Sequence, residues 1–212
     1  MDGNNRWSKK NKYSKYDSYK IGAENLFTLT NYIFLKYKLP YVSAFVLSSH
    51  NLKRSNTTLK PIIRVFEHFA NSFSNSNHNF DIKIIGDYKI FDSELIKKIE
   101  NINNSKINSN HKLNLFINYS GRKDIELSLK QHLKKRIKHK NLSIIEHMQY
   151  KDLADPDMLI RTGGFSRLSD YTLYNLSFTE LFFLKKLWPD FNKRDLDRCI
   201  LKYFKLNRKF GY

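Results

Sequence analysis

Three short polar stretches carry residue types suited to a phosphorylated substrate. Met1 to Trp7 (MDGNNRW) offers one carboxylate in Asp2, a permissive Gly3, the short amides Asn4 and Asn5, and Arg6. Ser48 to Arg54 (SSHNLKR) offers hydroxyls, His50, Asn51 and two cations. The third runs from Asp155 to Ser169, where Arg161 follows an apolar run, a Gly pair comes next, and Arg167 and Ser169 lie within reach. Guanidinium forks match phosphate oxygens bidentately, and backbone amides at a glycine turn would add neutral donors. Each stretch also has a plainer reading, a basic tail for the first and an ordinary turn for RTGG.

Such residues need elements to hold them. After a polar, basic opening from Asp2 to Lys20, apolar residues at helical spacing (Ile21, Leu26, Leu29, Ile33, Phe34) predict a helix over Ile21 to Leu35. Tyr41 to Leu47 is a short apolar run after Pro40 and predicts a buried strand that ends in the second polar stretch. Pro61 suits the first turn of a helix carrying Ile62, Val65, Phe66, Phe69 and Phe73. Then come strand Asp81 to Ile85, helix Asp92 to Ile102, strand Leu113 to Ile117 and helix Lys123 to Ile137. Strand Met158 to Ile160, an apolar run from Leu181 to Leu184 and helix Arg194 to Lys209 close the chain. The alternation predicts a single α/β domain with a mostly parallel sheet flanked by helices. Open sheets of this kind bind ligands beyond the C-terminal ends of their strands, where the polar stretches begin.

Composition narrows the function classes. The 212 residues are 41% hydrophobic and 15% aromatic, outside the disordered and disulfide-scaffold ranges. The formal charge of +18 favours a polyanion, an acidic membrane surface or a phosphorylated substrate as partner. No RNA-binding signature accompanies the aromatic and basic residues, so nucleic acid is not expected. The lone Cys199 fits a reducing compartment, and no run reaches the roughly 20 apolar residues of a membrane span. A cytoplasmic location follows as the expectation. The seven His residues show no paired metal-ligand spacing. The basic run Lys130 to Lys140 reads as a solvated helix face, or as a contact with an anionic membrane.

Taken in order, MDGNNRW, SSHNLKR, IIGD, NYSGRKDI, DPDMLIRTGG, RLSDYTLYNLSFTELFF, LWPDF and the closing NRKFG resemble the cis-prenyltransferase family over nearly the whole chain. The resemblance implies a homodimeric fold with an apolar tunnel. It also implies condensation of isopentenyl diphosphate onto an allylic diphosphate such as farnesyl diphosphate, making the undecaprenyl carrier of cell-wall synthesis. Asp2 matches the carboxylate associated with Mg2+ and with departure of the allylic diphosphate, and Glu180 matches a second Mg2+ contact. Gly3, Asn4 and Arg6 match the cradle for that diphosphate, with Trp7, Lys15, Tyr19 and Ser48 as further substrate-binding positions. Arg161, Arg167 and Ser169 match the isopentenyl diphosphate clamp, and Asn51 and Arg54 the loop beside the reacting carbons. Transient membrane contact for product release is a further implication.

Several positions depart from the family pattern. Asn5 replaces a Gly, Lys15 an Arg, Tyr19 a His and Leu52 an aromatic, while Phe165 and Ser166 replace more polar residues. The family places an apolar strand immediately before MDGN. The single domain over residues 1–212 is therefore expected to lack its usual first strand, through an upstream start or a compromised copy. A noncatalytic partner subunit of the same fold is the alternative reading, against which stands the joint presence of Asp2, Asn51, Arg161, Arg167 and Ser169.

Overall fold

Strand β3 (Lys112–Tyr119) organises the molecule, because every residue after Lys112 is buried, as in a strand covered on both faces. It lies between β1 (Tyr41–Ser48) and β2 (Asp81–Ile85), parallel to each, so that Leu113 pairs with Val42 on one side and Ile82 on the other. In this computed structural model the described residues are 1–53, 55–73, 78–136 and 143–209, with positions 135 and 136 described in backbone only. Arg54, part of the closing NRKFG and the second half of the basic run therefore lie outside the described residues.

One face of the sheet packs Leu113, Leu115 and Ile117 against Leu26, Leu29 and Phe34 of α2 (Lys15–Tyr37) and Ile62 and Phe66 of α3 (Asn56–Ser72). Leu95, Ile99 and Ile102 of α4 (Ser93–Asn104) and Leu196 and Ile200 of α6 (Lys193–Phe204) extend the same core. The other face buries Phe116 and Tyr119 with Met148 and Tyr150, and Ile125 of α5 (Gly121–Arg136) packs against them. Burial pushes the Tyr119, Tyr150 and Tyr171 phenols above their ordinary range. Side-chain caps mark helix starts: Asp92 accepts from the Leu95 N–H, and Asn192 from those of Arg194 and Asp195.

The four expected strands form, the apolar run from Leu181 to Leu184 supplies a fifth, and every pairing is parallel, but they make two sheets. β4 (Met158–Arg161) pairs only with β5 (Glu180–Phe183) among the described residues. Among the described residues β1 and β4 each keep an open edge, and residues 39–46 and 153–161 along those edges line a shared cavity of about 830 Å3.

Three boundaries differ from expectation. The opening segment is not irregular: residues 4–11 form α1 (Asn4–Asn11), and α2 starts at Lys15 with Ser14 as its cap. With Trp7 as its one buried apolar side chain, α1 has no periodicity to read. Helix α3 begins at Asn56, which leaves Pro61 inside it. Proline has no N–H to bond the carbonyl four residues back. The Thr57 carbonyl accepts instead from Lys15 Nζ at 3.2 Å, tying α2 to α3. Helix α6 stops at Phe204, beyond which Arg208 bonds Asp157 Oδ1 at 2.8 Å and the Phe178 carbonyl at 2.9 Å.

Candidate active site

β4 delivers Arg161 to its C-terminal end, and the turn after it is strapped to the segment following β5. The Gly163 N–H donates to the Lys186 carbonyl and the Gly164 N–H to that of Leu184. This corrects the expectation that the Gly pair offers amides to an anion, since both donors are spent inside the protein. Gly163 is needed for space. It has φ +89°, and a Cβ there would stand 2.7 Å from Arg6 Nη2 and 3.0 Å from Asp2 Cβ. Its carbonyl accepts from Arg6 Nη2 at 2.6 Å.

Asp2 is fixed in the angle between this turn and the WPDF segment. Its N–H donates to Thr162 Oγ1 at 3.0 Å, and its carbonyl accepts from the same hydroxyl and from the Trp188 N–H. Gly3, at φ +109°, then starts α1, and a Cβ on it would come within 2.7 Å of Leu187. No side chain caps α1 and no acidic residue lies in its first turn, so its leading amides present the positive end of a helix dipole. Asn4 Oδ1 is buried without a partner among the described residues.

The charged groups meet above this frame. Asp2 Oδ2 lies 3.1 Å from Arg161 Nη2, and Asp2 Oδ1 lies 3.7 Å from Arg6 Nη2. Arg161, with a side chain only 12% exposed, also donates through Nη1 to Ser169 Oγ at 2.7 Å and to the Arg167 carbonyl. Ser169 and Asp170 both hold positive φ. The Asp170 carboxylate accepts from Ser120 Oγ at 2.6 Å and the Arg122 N–H at 3.0 Å, and lies 3.1 Å from His50 Nε2. Burial alone would raise the Asp170 pKa. The donors outweigh it and hold the carboxyl below its usual range. Asp170 thus ties the clamp loop to the loop carrying Asn51, a role the sequence reading missed although RLSDY and NYSGR were both noted as motifs.

The arrangement matches known proteins. The family model for undecaprenyl diphosphate synthase fits residues 1–211. An isoprenyl transferase of Rickettsia sibirica is 34% identical over the whole chain and 95% of its own length. A Coxiella burnetii relative, named as a ditrans,polycis-undecaprenyl-diphosphate synthase specific for (2E,6E)-farnesyl diphosphate, is 30% identical over the whole chain and 93% of its own. Among solved structures, lavandulyl diphosphate synthase from Lavandula x intermedia in complex with dimethylallyl diphosphate is similar at TM-score 0.91. It is 25% identical, covering the whole chain and 95% of its own. The chain belongs to the undecaprenyl diphosphate synthase family.

Within this prenyltransferase, Asp2, Gly3, Asn4, Arg6, Tyr19, Ser48, Asn51, Arg161, Arg167 and Ser169 all line the one cavity. Three other expected site residues are placed differently. Trp7 is buried and donates from Nε1 to Asp190 Oδ1 at 2.6 Å, anchoring α1 to WPDF. Lys15 is spent on Thr57 and on Thr58 Oγ1 at 3.0 Å. Glu180 opens β5 opposite Met158, three residues and roughly 10 Å along the strands from the Arg161 and Phe183 pair. It does not line the cavity with Asp2. Arg54 is not among the described residues. The reading also missed that WPDF holds the site, with Trp188 Nε1 on the Gly22 carbonyl at 2.7 Å and Asn25 Nδ2 on the Phe191 carbonyl at 2.7 Å.

The donors suit a cation that arrives with its own phosphate. No group of three His, Cys, Asp or Glu capable of holding a metal occurs among the described residues. Asp2 is 37% exposed and supplies one carboxylate, as Mg2+ sites do when waters and substrate phosphates complete the shell. Behind the charged mouth the cavity wall is apolar. Ile62, Val65, Phe66 and Phe69 of α3 face Leu26, Leu29 and Ile33 of α2 as lining residues, whereas Phe73 is not among them.

Proposed function

We propose that this chain joins isopentenyl diphosphate to an allylic diphosphate with cis geometry and stores the growing hydrocarbon in its cavity. One observation carries the reading: a single cavity has three arginines and Asp2 at its mouth and the α3 stripe in its wall. The allylic C–O bond breaks with its electron pair on the leaving diphosphate, where Arg6 and the α1 amides meet the developing charge. Fixed donors of this kind stabilise a transition state more than its substrate. The isopentenyl double bond then forms the new C–C bond, and a proton leaves its C2 for the released diphosphate. Arg161, Arg167 and Ser169 hold the isopentenyl diphosphate throughout. The apolar wall keeps water from the cationic carbon. Mg2+ is the proposed cofactor: Asp2 would hold it together with the substrate diphosphate, and it would neutralise charge on the leaving group.

Farnesyl diphosphate as starter and an undecaprenyl product fit the naming of the Coxiella relative. A homodimer is supported by the apolar surface around β5, where Phe178 is 58% exposed and Leu181 and Phe183 point outward beside it. Exposed Leu129 and Leu133 next to Lys130 and Lys134 on α5 support a transient contact with an anionic membrane at product release. No helix among the described residues is long and apolar enough to cross a membrane, and we assign the chain to the cytoplasm. Incubation with labelled isopentenyl diphosphate, farnesyl diphosphate and Mg2+ should give long-chain labelled diphosphates. A folded protein that incorporates no label would overturn the reading in favour of a noncatalytic subunit.

A further inference from the structure

Between the Gly pair and Arg167 lies Phe165, an aromatic ring in a loop otherwise made of small and polar residues. It is 39% exposed, so core packing does not account for it. Three guanidinium groups from two segments gather on its ring: Arg167 at 4.1 Å from the centroid, Arg6 at 5.0 Å and Arg161 at 5.8 Å. Three like charges at this spacing repel one another, and the negative face of an aromatic ring offsets part of that cost. A guanidinium whose face rests on a ring keeps its N–H edge for hydrogen bonds, the orientation in which it binds phosphate.

The charge inventory of the mouth follows from the same residues. Arg6, Arg161 and Arg167 contribute three positive charges and Asp2 one negative, while residues 162–166 and 168–169 contribute none. Arg6 offsets Asp2 at 3.7 Å, which leaves the two charges of Arg161 and Arg167 to meet most of that of one diphosphate. A hard cation would need oxygen ligands here. Asp2 is the one acidic side chain in the cluster, and its oxygens already lie against Arg161 and Arg6.

We propose that Phe165 is a positioning residue that holds Arg161 and Arg167 ready for the isopentenyl diphosphate, beside Arg6 on the allylic side, so that capture of this substrate needs no divalent cation. This rests on the prenyl-transfer reading and sharpens it, confining the metal requirement to departure of the allylic diphosphate. The chain therefore binds its second substrate as a free anion.

Calorimetric titration of the full chain with isopentenyl diphosphate, in excess EDTA and in excess Mg2+, tests this directly. The dissociation constant of the unmodified protein should differ by less than about threefold between the two conditions. Phe165→Leu should weaken binding about five- to thirtyfold in both, and Phe165→Trp, which restores a ring, should return to within about threefold. Phe165→Glu should bind poorly in EDTA and recover at least about tenfold with Mg2+, because it cancels one cation and adds a hard oxygen. Thermal melts of each variant should match the unmodified protein, as expected for an exposed side chain. Tight binding that appears only with Mg2+, or a folded Phe165→Leu protein that binds like the original, would overturn the proposal while leaving prenyl transfer standing. Absence of binding in both conditions would overturn the prenyl-transfer reading and this proposal together.

Discussion

The mouth and the wall of the cavity are built on opposite plans. The wall belongs largely to single helices: Ile62, Val65, Phe66 and Phe69 recur at spacings of three and four along α3, and the stripe is local in sequence. The mouth is assembled from distant segments, with Asp2 held by Thr162 and Arg161 across about 160 residues and braced from behind by Trp188. A local stripe can lose or gain one side chain and still form a surface. A convergent cluster loses its geometry when one member goes, because each charge is partner to another. Changes at the mouth should therefore act on rate and binding, and changes in the wall on product size and stability.

The largest effect is expected from Asp2→Ala. Turnover should fall by about a thousandfold or more, while binding of the allylic diphosphate is largely retained because Arg6 and the α1 amides remain. Stopped-time assays at saturating Mg2+ beside equilibrium binding measure both quantities, and near-normal turnover would remove Asp2 from the chemistry. The two clamp arginines should then separate. Arg167→Ala removes an exposed cation and should raise KM for isopentenyl diphosphate about ten- to hundredfold, with little change for the allylic starter. Arg161→Ala should do the same and also lower the urea midpoint, since it removes the part-buried guanidinium that pairs with Asp2. Equal weakening of both substrates by either change would contradict the division of the mouth.

How much of this was legible in the sequence follows the same division. The strands were readable as short apolar runs and the helices from α2 onward by apolar residues at helical spacing, whereas the α3 stripe was placed in a tunnel wall only through the family resemblance. Helix α1 was not readable, since one buried Trp7 makes no period. The mouth was legible only as motifs. Nothing in RTGG reveals that both glycine amides are consumed by Lys186 and Leu184, because those partners lie beyond the next strand. The remoteness of Glu180 from Asp2 is likewise a matter of β4–β5 register. Lys15 illustrates a third kind of miss: its partner carbonyl is free because of Pro61, a local rule acting on a distant residue.

In the wall, Phe69→Ala should lengthen or broaden the product distribution at a stability cost of roughly 3 kcal/mol, less than for a fully enclosed ring because the cavity is already open beside it. Product chromatography with a urea melt measures both, and lost stability with an unchanged distribution would make Phe69 plain core. The smallest effect concerns pH. Asp170 has a folded-state pKa below its unfolded value, so its contribution is present above about pH 4 and is lost as pH falls through the folded value. Asp170→Asn should flatten the acid side of the stability profile below about pH 4. An unchanged profile would mean that the tie between the clamp loop and the Asn51 loop carries no stability.

Because rate and product length are assigned to different ends of one cavity, the most direct test is to size the labelled products of Val65→Trp and Arg167→Ala beside those of the unmodified chain, all at saturating isopentenyl diphosphate and farnesyl diphosphate with Mg2+. Val65→Trp should shorten the products with KM for isopentenyl diphosphate unchanged, and Arg167→Ala should leave their length as it was. Shortening by the arginine change, or full-length products from the tryptophan variant, would contradict the account.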